Sequence, residues 1–252
     1  MLNDCDLIFP DWPAPANVKA LQTTRAGGTS IGSYASLNLG DHVNDDPLKV
    51  AANRQLLNTY VPTEPLWLNQ VHGITVVDAS AASCLPAADA SYTRVSNVVC
   101  AVMTADCLPI LLCDVQGTIV AVVHAGWRSL LDGVTEATVA AMQSPGNELM
   151  AWLGPAIGPD AFEVGNEVRE AFMARDSKAE AAFRPVTADK WLGNIYLLAR
   201  LRLQKMGVTR IYGGGISEDY CTYSDAKRFF SFRRDGATGR MATMIWLDTL
   251  NG

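Results

Sequence analysis

The sequence predicts an α/β (α+β) fold: a single layered domain over residues 1–252 with mixed β-sheets flanked by helices. Short apolar runs rich in Val, Ile and Leu lie at Leu66–Leu68, Ile74–Val77, Val98–Met103, Ile110–Cys113 and Thr118–Val123, the pattern of strands. Segments of helical periodicity are interleaved with such runs. The last two runs are joined by Asp114-Val115-Gln116-Gly117, a hairpin signal, and no internal repeat or low-complexity tract divides the chain.

Taken in order, Thr23–Ser30 is a polar, Gly-rich loop, followed by Ser36–His42. Asp45-Asp46-Pro47 supplies a cap and an N1 proline for a helix to about Tyr60, with Leu48, Ala51, Ala52, Leu56 and Leu57 on one face. Beyond the apolar runs, Trp127–Met142 reads as one helix. That places His124 at a strand-to-helix junction, where N–H groups and the helix dipole favour an anion. Ala151-Trp152-Leu153 reads as a strand meeting the rigid loop Gly154–Pro159, and Val164–Arg175 and Asn194–Met206 as helices. Arg210–Tyr212, Phe229–Phe232 and Met244–Leu247 read as strands. A doubly wound dinucleotide fold is disfavoured, because Gly213-Gly214-Gly215 is no Gly-x-Gly-x-x-Gly.

With 252 residues, 49% hydrophobic and 18% charged, the chain can bury a core without covalent staples. The net charge of -6 and the lack of a basic block argue against a nucleic-acid partner. Lys227–Arg234 alternates cations with aromatics; it reads as an edge strand with Phe230 and Phe232 inward, or as a stacking platform for single strands. Six cysteines without a Cys-x-x-Cys pair, and a start at Met1–Asp6 without leader character, predict reduced thiols and a cytoplasmic location. No apolar stretch reaches the roughly 18 residues of a membrane span.

Three residues beside tight turns carry candidate chemistry: His72 in Asn69–Gly73, Cys107 in Thr104–Pro109 and His124 in Val123–Arg128. A thiolate and two imidazoles suit Zn²⁺ with a fourth position open. Their spacing matches no zinc finger, so convergence depends on the tertiary fold, and buried hydrogen-bonded histidines with a core cysteine are the plainer alternative. A further alternative makes Cys107 a nucleophile and His124 its base. Arg25 and Arg128, beside loop glycines, are candidates for clamping a phosphate or carboxylate, and His42 is a candidate polar site residue. Cys5, Cys84, Cys100 and Cys113 read as inert, whereas Cys221 lies in a polar loop.

Together, Thr23–Gly40, Leu68–Gly73, Thr104–Leu111 with Val123–Arg128, and Cys221–Arg240 resemble, in this order, a laccase-domain family described as multicopper polyphenol oxidase-like. It is also known as the YfiH purine nucleoside phosphorylase family and, in bacteria, as peptidoglycan editing factor. The resemblance spans nearly the whole chain. It implies a zinc site at His72, Cys107 and His124, on a fold similar to the catalytic domain of cytotoxic necrotizing factor, a cysteine hydrolase whose Cys/His pair corresponds to Cys107 and His124. It implies metal-dependent purine nucleoside chemistry on small-molecule substrates: phosphorolysis of adenosine, inosine, guanosine or methylthioadenosine, and adenosine deamination. For these reactions the residues themselves suggest roles: in deamination activated water would attack C6 with Asp106 managing the proton, and in phosphorolysis Arg25 or Arg128 would hold phosphate. The alternative is an amidase acting on a muramyl-nucleotide precursor bearing L-Ser, and a third reading is a non-catalytic metal-holding or partner-binding module. Three histidines cannot ligate a type 1 copper plus a trinuclear cluster, so a multicopper laccase mechanism is disfavoured, although one copper can replace zinc. Ser129, Asn194 and Ser91-Tyr92 depart from the family pattern and bear on substrate fit rather than on the ligands.

Overall fold

The computed structural model describes residues 2–214 and 220–249. Gly215 of the triple-glycine run and Asp219 ahead of Cys221 lie outside the described residues, as do the first residue and the last three. The N-terminal part contains β1 (Leu7–Ile8), β2 (Val18–Thr23), α1 (Pro47–Leu56), β3 (Val76–Asp78), β4 (Ala90–Thr93) and β5 (Cys100–Thr104). Next come β6 (Leu108–Asp114), β7 (Val120–Ala125), α2 (Trp127–Asp132), α3 (Val134–Met142) and β8 (Leu149–Leu153). The remainder holds β9 (Glu163–Gly165), α4 (Asn166–Arg175), β10 (Phe183–Thr187), β11 (Lys190–Gly193), α5 (Ile195–Lys205), β12 (Arg210–Gly213), α6 (Phe232–Asp235) and β13 (Met241–Leu247).

The predicted mixed α/β character holds. A six-stranded sheet runs β12-β8-β6-β7-β4-β3, with parallel pairs at both edges and antiparallel pairs between them. An antiparallel four-stranded sheet runs β1-β2-β13-β5, and a small third sheet runs β10-β11-β9. On one face of the large sheet, Leu108, Ile110, Ala121 and Val123 pack against helical residues such as Leu130, Leu198 and Ala199. On the other, Leu111, Val120 and Val122 meet Val102 and Ile245 of the four-stranded sheet. Both faces of β6 and β7 are therefore covered, which is why these strands are written as continuous apolar runs rather than alternating ones. The outer face of the four-stranded sheet buries Ala101, Met103 and Met244 against Leu37, Leu39 and Leu57.

Several elements fall where the sequence places them. The β6–β7 hairpin forms, Asp46 caps α1 by accepting from the Leu48 N–H, and Pro47 opens the helix. Asn194 caps α5 in the same way through the Leu197 N–H. Since Asn and Asp are equivalent caps, the departure at this position is conservative.

Other expectations are corrected. The buried face of α1 is Val50 and Asn53, continued by Leu57, while Leu48 is 79% exposed. The single helix expected over Trp127–Met142 is two, broken at Gly133 with φ of 107°. α2 has only six residues, too short for the dipole effect expected beside His124. Phe229–Phe232 is no strand: Asp225 accepts from the N–H groups of Lys227 and Arg228, turning the chain, and α6 begins at Phe232. Phe230 is fully buried as expected, but Phe232 is 59% exposed. Leu66–Leu68 contributes one bridge, from Leu66 to Cys100. Strands β1, β2, β4 and β9 to β11 are not legible as such: β2, Val-Lys-Ala-Leu-Gln-Thr, carries no clean apolar alternation, and the others have only two to five residues.

Candidate metal centre and its cavity

The sheets bring together loops at one end of the molecule. His124 is the penultimate residue of β7, Cys107 immediately precedes β6, and His72 lies in the turn ahead of β3. Their ligating atoms all lie within 4.8 Å of one another, the only such trio among the described residues. Cys107 Sγ is 3.8 Å from His72 Nε2, and the two imidazoles meet edge to face with centroids 4.8 Å apart. Bonds of about 2.1 Å to nitrogen and 2.3 Å to sulfur in a tetrahedral shell put ligand pairs roughly 3.4 to 3.6 Å apart. The donor set fits one small cation, and the separations, which reach up to 4.8 Å, are wider than that closed shell, so the side chains would draw together on binding. Exposure rises from buried His124 through half-buried Cys107 to exposed His72, leaving the trio approachable from the His72 side.

The residue that organises the trio is Asp89, which the sequence reading did not single out. Its fully buried carboxylate accepts from His124 Nδ1 at 2.8 Å and from the backbone N–H groups of Val71, His72 and Gly73. One acid therefore orients one imidazole and holds the turn carrying the other, whose backbone sits at φ of 58° at His72. With Nδ1 committed, Nε2 is the nitrogen of His124 left for a ligand, the carboxylate–histidine–metal arrangement. Burial alone raises the Asp89 carboxyl, but the His124 and Gly73 hydrogen bonds outweigh it and hold it below the usual range. The signal in the sequence was an acid between two small apolar residues, Ala88 and Ala90, in an otherwise buried stretch.

Gln70 fastens the same turn to β5, donating to the Met103 carbonyl at 2.8 Å and accepting from its N–H at 2.7 Å. Gly126 closes the other side. A Cβ there would lie 2.8 Å from the His72 ring and 3.2 Å from Cys107 Sγ, so only glycine lets the backbone approach the cluster.

The electrostatics of the cation-free trio are those of an ion pair. Burial raises the Cys107 thiol, but the charge and hydrogen bond of His124, followed by His72, bring it down to about 6. Burial lowers His124, but Cys107 and Asp89 raise it to about 9. Cys100 and Cys113 are the opposite case, buried thiols pushed up without a compensating cation, and they are the inert core fillers the sequence suggests.

A cavity of about 510 Å³ opens over the trio. Its walls combine Arg128, Arg233, Arg240 and His42 with Trp127, Ile157, Phe162, Ile195 and Phe232, and each of the three guanidiniums lies over one of the aromatic rings. Arg128 stacks on Trp127 at 4.4 Å. Of the predicted site residues, the cavity thus gathers His72, Cys107, His124, Asp106, Arg128 and His42. It does not include Arg25. That guanidinium donates to the carbonyls of Ala35 and Ala226 and lies 4.6 Å over Phe230, tying two loops together rather than facing a ligand.

Asp106 borders the cavity, but its oxygens are occupied. They accept from Thr222 Oγ1, Ser231 Oγ and the Arg233 N–H, with φ of 88° at Asp106 itself. It fixes the turn before Cys107 to the C-terminal segment, and the proton-handling role expected of it is not favoured by this geometry. Ser129 is buried in α2 and Ser91 in the interior of β4, so neither departure from the family pattern faces the cavity. Cys221 accepts from the Gly158 N–H and from Ser224 Oγ, outside the cavity wall.

Comparison with known proteins agrees with the motifs. Residues 19–248 match the family described as multi-copper polyphenol oxidoreductase laccase. The chain is 54% identical over 241 residues to the Pseudomonas aeruginosa protein named purine nucleoside phosphorylase PA4543, covering 95% of this chain and 98% of that protein. It is 53% identical over 244 residues to purine nucleoside phosphorylase YfiH of Escherichia coli, covering 96% and 98% respectively. The crystal structure of Neisseria meningitidis protein NMB0706 superposes with a TM-score of 0.93 at 52% identity, covering 96% of this chain and 99% of that one. YlmD from Geobacillus stearothermophilus gives 0.85 at 31% identity, covering 94% of each chain. The chain belongs to the multi-copper polyphenol oxidoreductase laccase family, which here includes relatives bearing the name purine nucleoside phosphorylase YfiH.

Proposed function

We propose that this protein is a zinc-dependent purine nucleoside phosphorylase. The observation that carries the reading is the His72, Cys107, His124 trio in the wall of a cavity that is also lined by three guanidiniums and by aromatic and aliphatic groups. That pairing suits a reaction joining an anion to a flat, apolar heterocycle bearing a sugar. In phosphorolysis an oxygen of hydrogen phosphate bonds to the sugar C1′. The C1′–N9 bond breaks, and the purine departs with its electron pair and gains the proton carried in by the phosphate. His72, Cys107 and His124 would hold the ion, Asp89 orients His124, and the arginine-lined wall holds the anion. When bound, Zn²⁺ supplies a Lewis acid that polarises a substrate oxygen; copper is the substitute this donor set also accepts. Adenosine deamination at the same centre is a companion activity, its proton handled by a group other than Asp106.

The names of close relatives support the reading. Purified protein given adenosine and phosphate should release adenine and ribose 1-phosphate, and His72→Ala should lose both metal and turnover. Full turnover in that variant rejects the scheme.

One observation favours a second reading. Cys107, His124 and Asp89 form a nucleophile, base and orienting acid in sequence of contact, the arrangement of a cysteine hydrolase. Amide cleavage of a muramyl-nucleotide precursor bearing L-Ser would use it, on a fold similar to cytotoxic necrotizing factor. Chelation separates the two: it abolishes metal-dependent phosphorolysis and spares thiolate-dependent amide hydrolysis. We read the chain as one cytoplasmic domain acting on small molecules, in keeping with six free cysteines, a net charge of -6 and no described helix able to cross a membrane.

A further inference from the structure

We infer that Arg240 forms the orthophosphate subsite of this cavity, with His42 at its side. The inference rests on the phosphorolytic reading and assigns its anion to a residue absent from the sequence-based candidates. Arg240 closes the turn before β13 and reaches the cavity wall as a half-buried side chain. Its Nη1 donates to the carbonyls of Thr238 and Gly239 at 3.1 and 3.0 Å, which fixes the guanidinium plane. No described carboxylate lies within 4 Å of it, whereas Arg54, Arg169, Arg184, Arg202, Arg228 and Arg234 are each paired with one.

Its position is specific. Gly40 packs against the Arg240 stem so closely that a Cβ would lie 2.8 Å from Cγ and 3.4 Å from His42 Cε1, so arginine and imidazole stand side by side. Arg240 lines the same cavity as Cys107 and Asp106. Burial and the neighbouring Arg240 lower the His42 pKa against the pull of Asp41, whose Oδ1 lies 3.6 Å from His42 Nδ1. A planar guanidinium, immobilised, half-desolvated and without a carboxylate, is the group that takes a phosphate oxygen pair. The other two cavity arginines are worse placed. All three lie over a cavity ring, Arg240 at 5.9 Å over Phe232, but Arg128 and Arg233 are exposed whereas Arg240 is half-buried.

Two measurements on the zinc-loaded full chain test this. Binding of orthophosphate alone, read by calorimetry, should be present in the parent protein and lost in Arg240→Gln. Steady-state kinetics should show the phosphate KM raised roughly 10- to 100-fold in that variant, with the nucleoside KM and zinc content unchanged. Should Arg240→Gln shed zinc, Arg240→Lys, which keeps charge and stem, replaces it: a raised phosphate KM at full metal content supports the subsite, and an unchanged one overturns it. An unchanged phosphate KM in Arg240→Gln, with the loss appearing in Arg128→Gln or Arg233→Gln instead, also overturns it. Phosphate binding that depends on Arg240 without any nucleoside cleavage would keep the subsite and reject the phosphorylase reading. Binding of adenosine 5′-monophosphate with none of orthophosphate would assign the site to a nucleotide and overturn the inference.

Discussion

At the residue scale the centre depends on groups that never touch a ligand. Asp89 binds one imidazole and three amides, so Asp89→Asn exchanges an acceptor for a donor facing the turn at His72. Loss of such an outer partner weakens metal binding about 10- to 100-fold, which competition with a fluorescent chelator will measure. Gly126→Ala drives a methyl into the His72 ring and should lower zinc stoichiometry without unfolding the protein. In zinc-free protein, Cys107 should react with iodoacetamide with a midpoint near pH 6 rather than near 9, and zinc should protect it. The same pair gives a pH window. The Cys107 contribution to stability, complete above about pH 9, is lost as pH falls through about 6; the His124 contribution, complete below about pH 6.5, is lost as pH rises through about 9. Zinc-free protein should therefore be stabilised by this pair most between those values, and denaturant midpoints measured across pH will show whether it is. The ligand residues were legible because His and Cys are rare beside turns; Asp89 and Arg240 were not, since a carboxylate or guanidinium in sequence does not reveal what it faces.

At the scale of elements, local signals succeeded where local chemistry decides. Asp46-Pro47 and Asn194 start helices through side-chain acceptors, and both starts are where the sequence puts them. Asn194→Ala should cost about 1 kcal/mol, with Tm falling by about 2–4 °C and kcat unchanged. Local signals failed where the surroundings decide. Phe229-Phe230-Ser231-Phe232 has the composition of a strand, but Asp225 and Asp106 take the flanking Arg228 and Arg233 N–H groups and the Ser231 hydroxyl into a turn and a short helix. The break at Gly133 was written as a glycine within a helical pattern, which the periodicity on either side outweighed.

At the scale of the molecule, mixed layering was legible from runs such as Val120–Val123, because only strands covered on both faces are apolar at every position. The partner of each face was not legible, since pairings such as Gln22 with Thr243 join residues far apart in the chain. The three ligands come from separate loops, so an ion that binds them joins the folded arrangement and not the unfolded chain. Zinc at a thousandfold excess over Kd should add about 4 kcal/mol to stability, and chelation should lower Tm in a titratable way.

The placement of β13 between β2 and β5 also bears on how the protein is made. On the ribosome, β2 and β5 emerge long before the strand that fills the gap between them, and both present unpaired edges until it arrives. The donors that grip Asp106 are late too, at Thr222, Ser231 and Arg233. A nascent chain halted short of residue 222 thus carries every histidine and Cys107, yet it lacks all three donors that hold Asp106, so the turn before Cys107 takes its shape only when the C-terminal segment has joined the fold.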